Sequence, residues 1–246
     1  MLSLPDLPSL HSLVRASPSL HAQYREESDQ VLPVILGREL EGSQVDAYAN
    51  LMSRVRKFGS PRTDAMIKDF LATYDEWLQG SKTIPDLTAT HPGNVRWMAG
   101  FHLSVVRRLT RLYAEWALGY ENWVVSSSPE WPKDQVNLSS SERTRISSAM
   151  YRYQVYCHIF GRNKGKRRRG FRHHEIAEIM WSRLNPWDVD AVACIAVFVR
   201  AKYTALFKDV IADLRPGHPR FIEAYNGYHH PCPDGSFNLD GEYDCR

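Results

Sequence analysis

Residues 185–214, NPWDVDAVACIAVFVRAKYTALFKDVIADL, exclude more folds than any other part of the sequence. Asn185 can accept amide hydrogen bonds, Pro186 suits the first helical position, and Asp188 favours the amino end of a helix. AVACIAVFV alone is compatible with a buried strand. Its continuation at helical period into RAKYTALFKDVIADL instead predicts a core helix over 186–213.

The same period recurs along the chain. Leu10, Leu13 and Val14 predict one short helix, and Leu20 and Tyr24 a second that begins at Pro18 with Ser17 as cap. Residues 30–40 predict a further short segment, with Pro33 in its first turn and Gly37 weakening it. Val45, Tyr48, Met52, Val55 and Phe58 share one helical side, as do Met66, Ile67, Phe70, Leu71, Tyr74 and Leu78. A helix of some 25 residues is predicted over 94–120, where Gly100 and Gly119 leave room for a kink or an early stop. Ile146, Met150, Tyr153 and Cys157 then define a helical face over 142–160. No strand and helix alternate, and no repeat period is present. The expectation is an all-α, irregular multi-helix bundle, a single domain over 1–246 with a polar C-terminal tail at 227–246.

The segments LPDLPSLHSLVRASPSLHAQYREE, SSSERTRISSAMYRYQVYCHIF and NPWDVDAVACIAVFV resemble a set of fungal proteins, many of which begin with an F-box-like segment. The resemblance makes residues 1–29 a partial F-box-like segment, without the leading apolar helix of that module. It implies docking on a ubiquitin-ligase adaptor through Leu7, Leu10, Leu13, Val14 and Leu20, with Tyr24 on the same run, the remainder serving as a recognition domain. The alternative use of those leucines is closure of the helical core.

Charge is local. The net charge is +3, and GRNKGKRRRG at 161–170 holds six basic residues, Arg162, Lys164, Lys166, Arg167, Arg168 and Arg169. The rest of the chain therefore sums to −3, which does not indicate a generally basic nucleic-acid surface. Three uses fit the run: a solvated connection between helices, an import signal or acidic-partner contact, and nucleic-acid contact. The solvated connection is the expectation.

Motifs for phosphate cradling, dinucleotide binding, nucleophile elbows, zinc proteases and EF-hands are missing from the sequence. His174 and Glu178 share a helix face but have no third ligand or nucleophile nearby, so a surface pair is expected. Cys157 and Cys194 are expected as small buried side chains, with His158 at the boundary. His229, His230, Cys232 and Cys245 in the tail are zinc-ligand types at weak spacing, alongside the alternatives of a disulfide or an ordinary terminus. Tyr151, Tyr153, Tyr156, Trp181 and Trp187 either line a peptide groove or fill the core. The sequence reading is thus a non-enzymatic protein-interaction module with no cofactor and no membrane span, in an intracellular compartment. Its alternative is a nucleic-acid- or chromatin-associated protein using the basic loop.

Overall fold

The computed structural model describes residues 1–54, 63–125, 137–161 and 171–213, all of whose regular elements are helical. In chain order these are α1 (Leu7–Ala16), α2 (Pro18–Glu39), α3 (Gln44–Met52), α4 (Asp64–Leu78), α5 (Pro92–Phe101), a π turn (His102–Val106) and α6 (Arg107–Val125). There follow α7 (Ser140–Phe160), α8 (His173–Ile179), a 3₁₀ turn (Trp181–Arg183) and α9 (Pro186–Asp213). The all-α bundle read from the sequence is therefore the architecture. The chain divides into two compact units, Met1–Ile195 and Ala196–Arg246.

Within the first unit α1 packs on α2, α3 on α4, α5 and α7, α2 on α5, and α6 on α7. Asp6 caps α1 by accepting from the Ser9 amide at 2.8 Å, and Thr63 caps α4 by accepting from the Met66 amide. Such caps satisfy amides that have no partner within their own helix. A full capping box starts α7: the Ser139 hydroxyl accepts from the Glu142 amide while the Glu142 carboxylate accepts from the Ser139 amide. At α9 the Asn185 Oδ1 accepts from the Asp188 amide at 2.9 Å, with Pro186 in the first position, as the sequence indicates.

Three elements differ from the sequence reading. The first is α2, where one helix of 22 residues replaces a short helix and a separate segment at 30–40. Pro33 sits inside it, and the lost backbone bond is offset by burial of Val31, Leu32, Pro33, Ile35 and Leu36 against neighbouring helices. The second is the helix predicted over 94–120, which runs as α5, a π turn just after Gly100 and α6, and which continues past Gly119 to Val125. The third is α7, where Ser147, Ser148, Ala149, Met150, Tyr151, Arg152, Val155, Ile159 and Phe160 are buried, so that of the predicted face Met150 is buried while Ile146, Tyr153 and Cys157 are half-buried. Because α7 is packed on several sides, polar residues join its buried surface and apolar period alone misplaces the stripe.

The core of α3 and α4 is aromatic. Tyr48 meets Trp77 edge-on at 5.3 Å between centroids, and Phe70 contacts both Tyr74 and Trp77. Buried among these helices lies an ionic cluster. Asp46 accepts from Arg152 Nε at 3.0 Å and from the Tyr74 hydroxyl, and Arg152 Nη1 lies 2.7 Å from Asp188 Oδ1. Burial pulls the Asp46 carboxyl above the usual range despite Arg152, Tyr74 and Ser148, and burial beside Asp46 drives the Tyr74 phenol well upward. This cluster ties α3, α4, α7 and the start of α9 together. In the second unit Phe198 is buried, with Lys202 Nζ 5.7 Å from its ring centre, while Tyr203 and Phe207 pair on the surface at 6.4 Å.

Candidate functional site

The sequence-derived partner face separates on folding. Leu7 and Leu10 are buried in the α1–α2 pair, whereas Leu13, Val14, Leu20 and Tyr24 are only half-buried toward the outer end of the hairpin. Burial raises the Tyr24 phenol, with Arg96 opposing and Asp29 adding to the effect. The basic patch at Arg162, Lys164, Lys166, Arg167, Arg168 and Arg169 lies outside the described residues, as do His229, His230, Cys232 and Cys245.

The remaining candidates also disperse. Tyr151 is buried and faces inward, Tyr156 packs on Trp181 at 5.3 Å, and Trp187 is 84% exposed, so the five aromatics do not form one groove wall. His174 and Glu178 are both exposed. Cys157 and Cys194 are free and half-buried rather than buried; burial pushes the Cys157 thiol up, partly opposed by Tyr153. His158 Nδ1 lies 2.9 Å from the Ser53 hydroxyl, which places it in a polar contact between α7 and the end of α3. Among the described residues no group of three or more His, Cys, Asp or Glu side chains could hold a metal ion.

What the fold does assemble is an open cleft of about 790 Å³ between the amino-terminal helices and the facing surfaces of α6 and α7. Arg107, Thr110, Arg111 and Ala114 line it from α6, at the i, i+3, i+4, i+7 spacing of one helical face. Ser140, Arg143, Thr144 and Ser147 line it from α7 at the same spacing. Arg38, Arg108, Asp6, Glu39, Glu41 and His102 complete its charged and titratable lining, giving five guanidiniums against three carboxylates.

Gly42 sets the approach of α7 to this cleft. Its φ of +77° is in the left-handed region, and a Cβ there would lie 2.8 Å from Thr144 Cγ2. The close approach lets the Thr144 hydroxyl reach the Glu41 carbonyl at 3.4 Å. The π turn has a comparable role on the other wall, since it places His102 inward and Arg107 on the cleft side of the same helix.

One wall is a closed hydrogen-bonded relay. Tyr151 Oη lies 2.8 Å from His102 Nδ1, His102 Nε2 lies 3.3 Å from Glu39 Oε1, and Arg107 Nη1 donates to the same oxygen at 2.8 Å. Glu39 Oε2 accepts from the Leu7 amide at 3.3 Å. Burial favours the neutral Glu39 carboxyl, but His102, Arg107 and the Leu7 amide together outweigh it and hold the group below the usual carboxylate range. Burial, with Glu39 and Asp46 adding to it, drives the Tyr151 phenol far above its ordinary value.

The rest of the lining is less fully engaged. Arg38 donates to the Leu2 and Leu4 carbonyls, and Asp6 is occupied as a cap. Arg111 reaches only the exposed Glu115 at 3.5 Å, and Arg143 reaches the Leu138 carbonyl at 3.3 Å. Arg108 is exposed and has no ion pair among the described residues. Thr110 is 3% exposed, and its hydroxyl has no hydrogen-bond partner among the described residues. On the preceding turns the Ser104 hydroxyl donates back to the Gly100 carbonyl at 2.6 Å, a bond that Thr110 does not make.

Sequence reasoning missed Glu39, His102, Arg107, Arg108, Thr110, Arg111 and Arg143. His102 and Tyr151 are 49 residues apart, and nothing local joins them. The usable signal was RRLTR at 107–111, whose Arg107, Thr110 and Arg111 fall on one helical face. Compared with family models, curated proteins and solved structures, the chain matches none.

Proposed function

We propose that this chain is a non-enzymatic protein-interaction module whose cleft receives an anionic group of its partner. The observation that supports this reading is the charge imbalance of the cleft. Arg107 answers Glu39 and Arg38 is held by backbone carbonyls, leaving Arg108, Arg111 and Arg143 exposed without a buried carboxylate partner. Guanidiniums in a concave, partly desolvated setting attract carboxylates and phosphates through charge-assisted bonds. The Tyr151–His102–Glu39–Arg107 relay is a rigid back wall in this reading, since each member is held by another.

The test is thermal denaturation in rising sulfate or citrate, with Arg108→Gln/Arg111→Gln/Arg143→Gln as control. A ligand that binds only the folded state raises the melting temperature as its concentration exceeds its dissociation constant. Wild type should gain stability saturably and the triple variant should gain much less. Equal gains in both proteins would reject the cleft as the site.

A second reading is docking on a ubiquitin-ligase adaptor through the outer end of the α1–α2 hairpin. It is favoured by the incomplete burial of Leu13, Val14 and Leu20. Leu13→Asp with Val14→Asp should abolish adaptor recovery, and equal recovery by the folded double variant would reject it.

A further inference from the structure

Resting on the reading of the cleft as an anion receptor, we infer that the group it selects is a phosphate monoester carried by a partner polypeptide. Three features of the lining favour phosphate over carboxylate. Arg108 and Arg111 come from α6 and Arg143 from α7, so the cleft offers guanidiniums from two separate helices. A carboxylate is planar and is satisfied by one guanidinium fork, whereas a phosphate presents three acceptor oxygens in different directions and a charge of about −1.5 to −2.

Thr110 is the second feature. Its hydroxyl is nine-tenths buried or more, lacks a partner among the described residues and belongs to a residue that lines the cleft. A turn of the Thr110 side chain toward the cleft would let its hydroxyl donate to a third phosphate oxygen and make the bond it lacks. The third feature is the amino end of α7, where Ser140, Arg143 and Thr144 line the same space and the helix dipole adds positive potential, moderated by Glu142 in the capping box.

The acidic side of the lining argues for a compact anion. Asp6, Glu39 and Glu41 belong to the amino-terminal segment of the lining, and Glu39 is already paired with Arg107 of α6. A phosphodiester strand running along the cleft would pass these carboxylates, while a single phosphate needs only Arg108, Arg111 and Arg143, none of which pairs with a cleft carboxylate among the described residues. A cleft of about 790 Å³ exceeds what a lone phosphate fills and falls in the range that takes a larger organic group. The partner-borne phosphate therefore enters on a side chain with its flanking backbone in the wider part.

The experiment is calorimetric titration of the full chain with the blocked peptide Ala-Ala-phosphoserine-Ala-Ala, its glutamate counterpart, inorganic phosphate and a single-stranded oligonucleotide. The phosphopeptide should bind at least about 10-fold more tightly than the glutamate peptide. Arg108→Gln/Arg111→Gln/Arg143→Gln should remove that binding. Thr110→Val should weaken it about 5-fold or more without lowering thermal stability, since removing an unpartnered buried hydroxyl does not cost a bond. Equal binding of the phosphopeptide and the glutamate peptide would overturn the phosphate inference while leaving the anion receptor standing. No binding by any of them, together with no sulfate or citrate stabilisation, would overturn both. Inorganic phosphate binding as tightly as the phosphopeptide would overturn the partner-borne source, and tighter oligonucleotide binding would overturn it in favour of nucleic acid. Wild-type affinity in Thr110→Val would remove the anion from this position.

Discussion

Replacing Arg152 by Leu tests whether the buried ionic cluster holds α3, α4 and α7 together. The Arg152 side chain is 10% exposed and Asp46 is 4% exposed, so removing the guanidinium leaves a carboxylate with little access to water. Breaking such a pair from one side costs about 3–5 kcal/mol. The second arm, to Asp188, is 34% exposed on the carboxylate side and adds about 0–1 kcal/mol. For a chain of this size the melting temperature should fall by roughly 6–20 °C. Asp46→Asn in the same background keeps an acceptor for the Tyr74 hydroxyl and removes the stranded charge, so the double variant should recover much of the loss. The pH response gives an independent sign. Asp46 is already raised in the folded state, and without Arg152 it rises further above its unfolded value. The folded state then binds the proton more tightly than the unfolded state, and Arg152→Leu should become more stable as pH falls from about 7 toward 5. Differential scanning calorimetry at the two pH values checks both. A loss below about 1 kcal/mol, or no rescue by Asp46→Asn, would refute the cluster as a structural tie.

Four further outcomes follow from the same structure. Glu39 is lowered in the folded state, so its contribution is present above the ordinary carboxylate value and is lost as pH falls through the folded value; Glu39→Gln should flatten that acid limb in a pH series of urea melts. Tyr151→Phe removes the hydroxyl paired with His102 Nδ1 and should cost about 1–3 kcal/mol by denaturant unfolding. Gly42→Ala forces an L side chain into positive φ and against Thr144, and should lower the melting temperature while shifting amide resonances at the start of α7. Ile195 is 1% exposed, and Ile195→Asp should cost several kcal/mol, on the order of the whole stability of a domain, visible as loss of soluble, cooperatively unfolding protein.

Helical period was sufficient for fold class because it depends on neighbours three and four residues apart, and those neighbours are local. It was enough to place α4 through Ile67, Phe70, Leu71 and Tyr74, all of them buried. It failed where tertiary contacts override the local pattern. Pro33 reads as a boundary, yet its ring is buried within a continuous helix. Asp46 and Arg152 carry no local sign of burial, yet they satisfy each other across 106 residues inside the bundle. The cleft was less legible still. His102 has no local signal because its partners, Glu39 and Tyr151, lie 63 and 49 residues away, and Tyr151 is grouped in sequence with aromatics that face elsewhere. Only the arginine spacing at 107–111 was present locally. The run at 162–169 is denser in charge, but charge density in sequence does not indicate which residues enclose a cavity.

The most direct test of the anion-receiving cleft is an NMR titration that follows the arginine Nε–Hε resonances while sulfate is added. Arg108, Arg111 and Arg143 should shift together and saturate with one dissociation constant. Arg183, paired with Asp75, and Arg96, paired with Asp29, lie outside the cleft lining and should respond only to ionic strength. A linear, unsaturating drift shared by all five arginines would contradict the account.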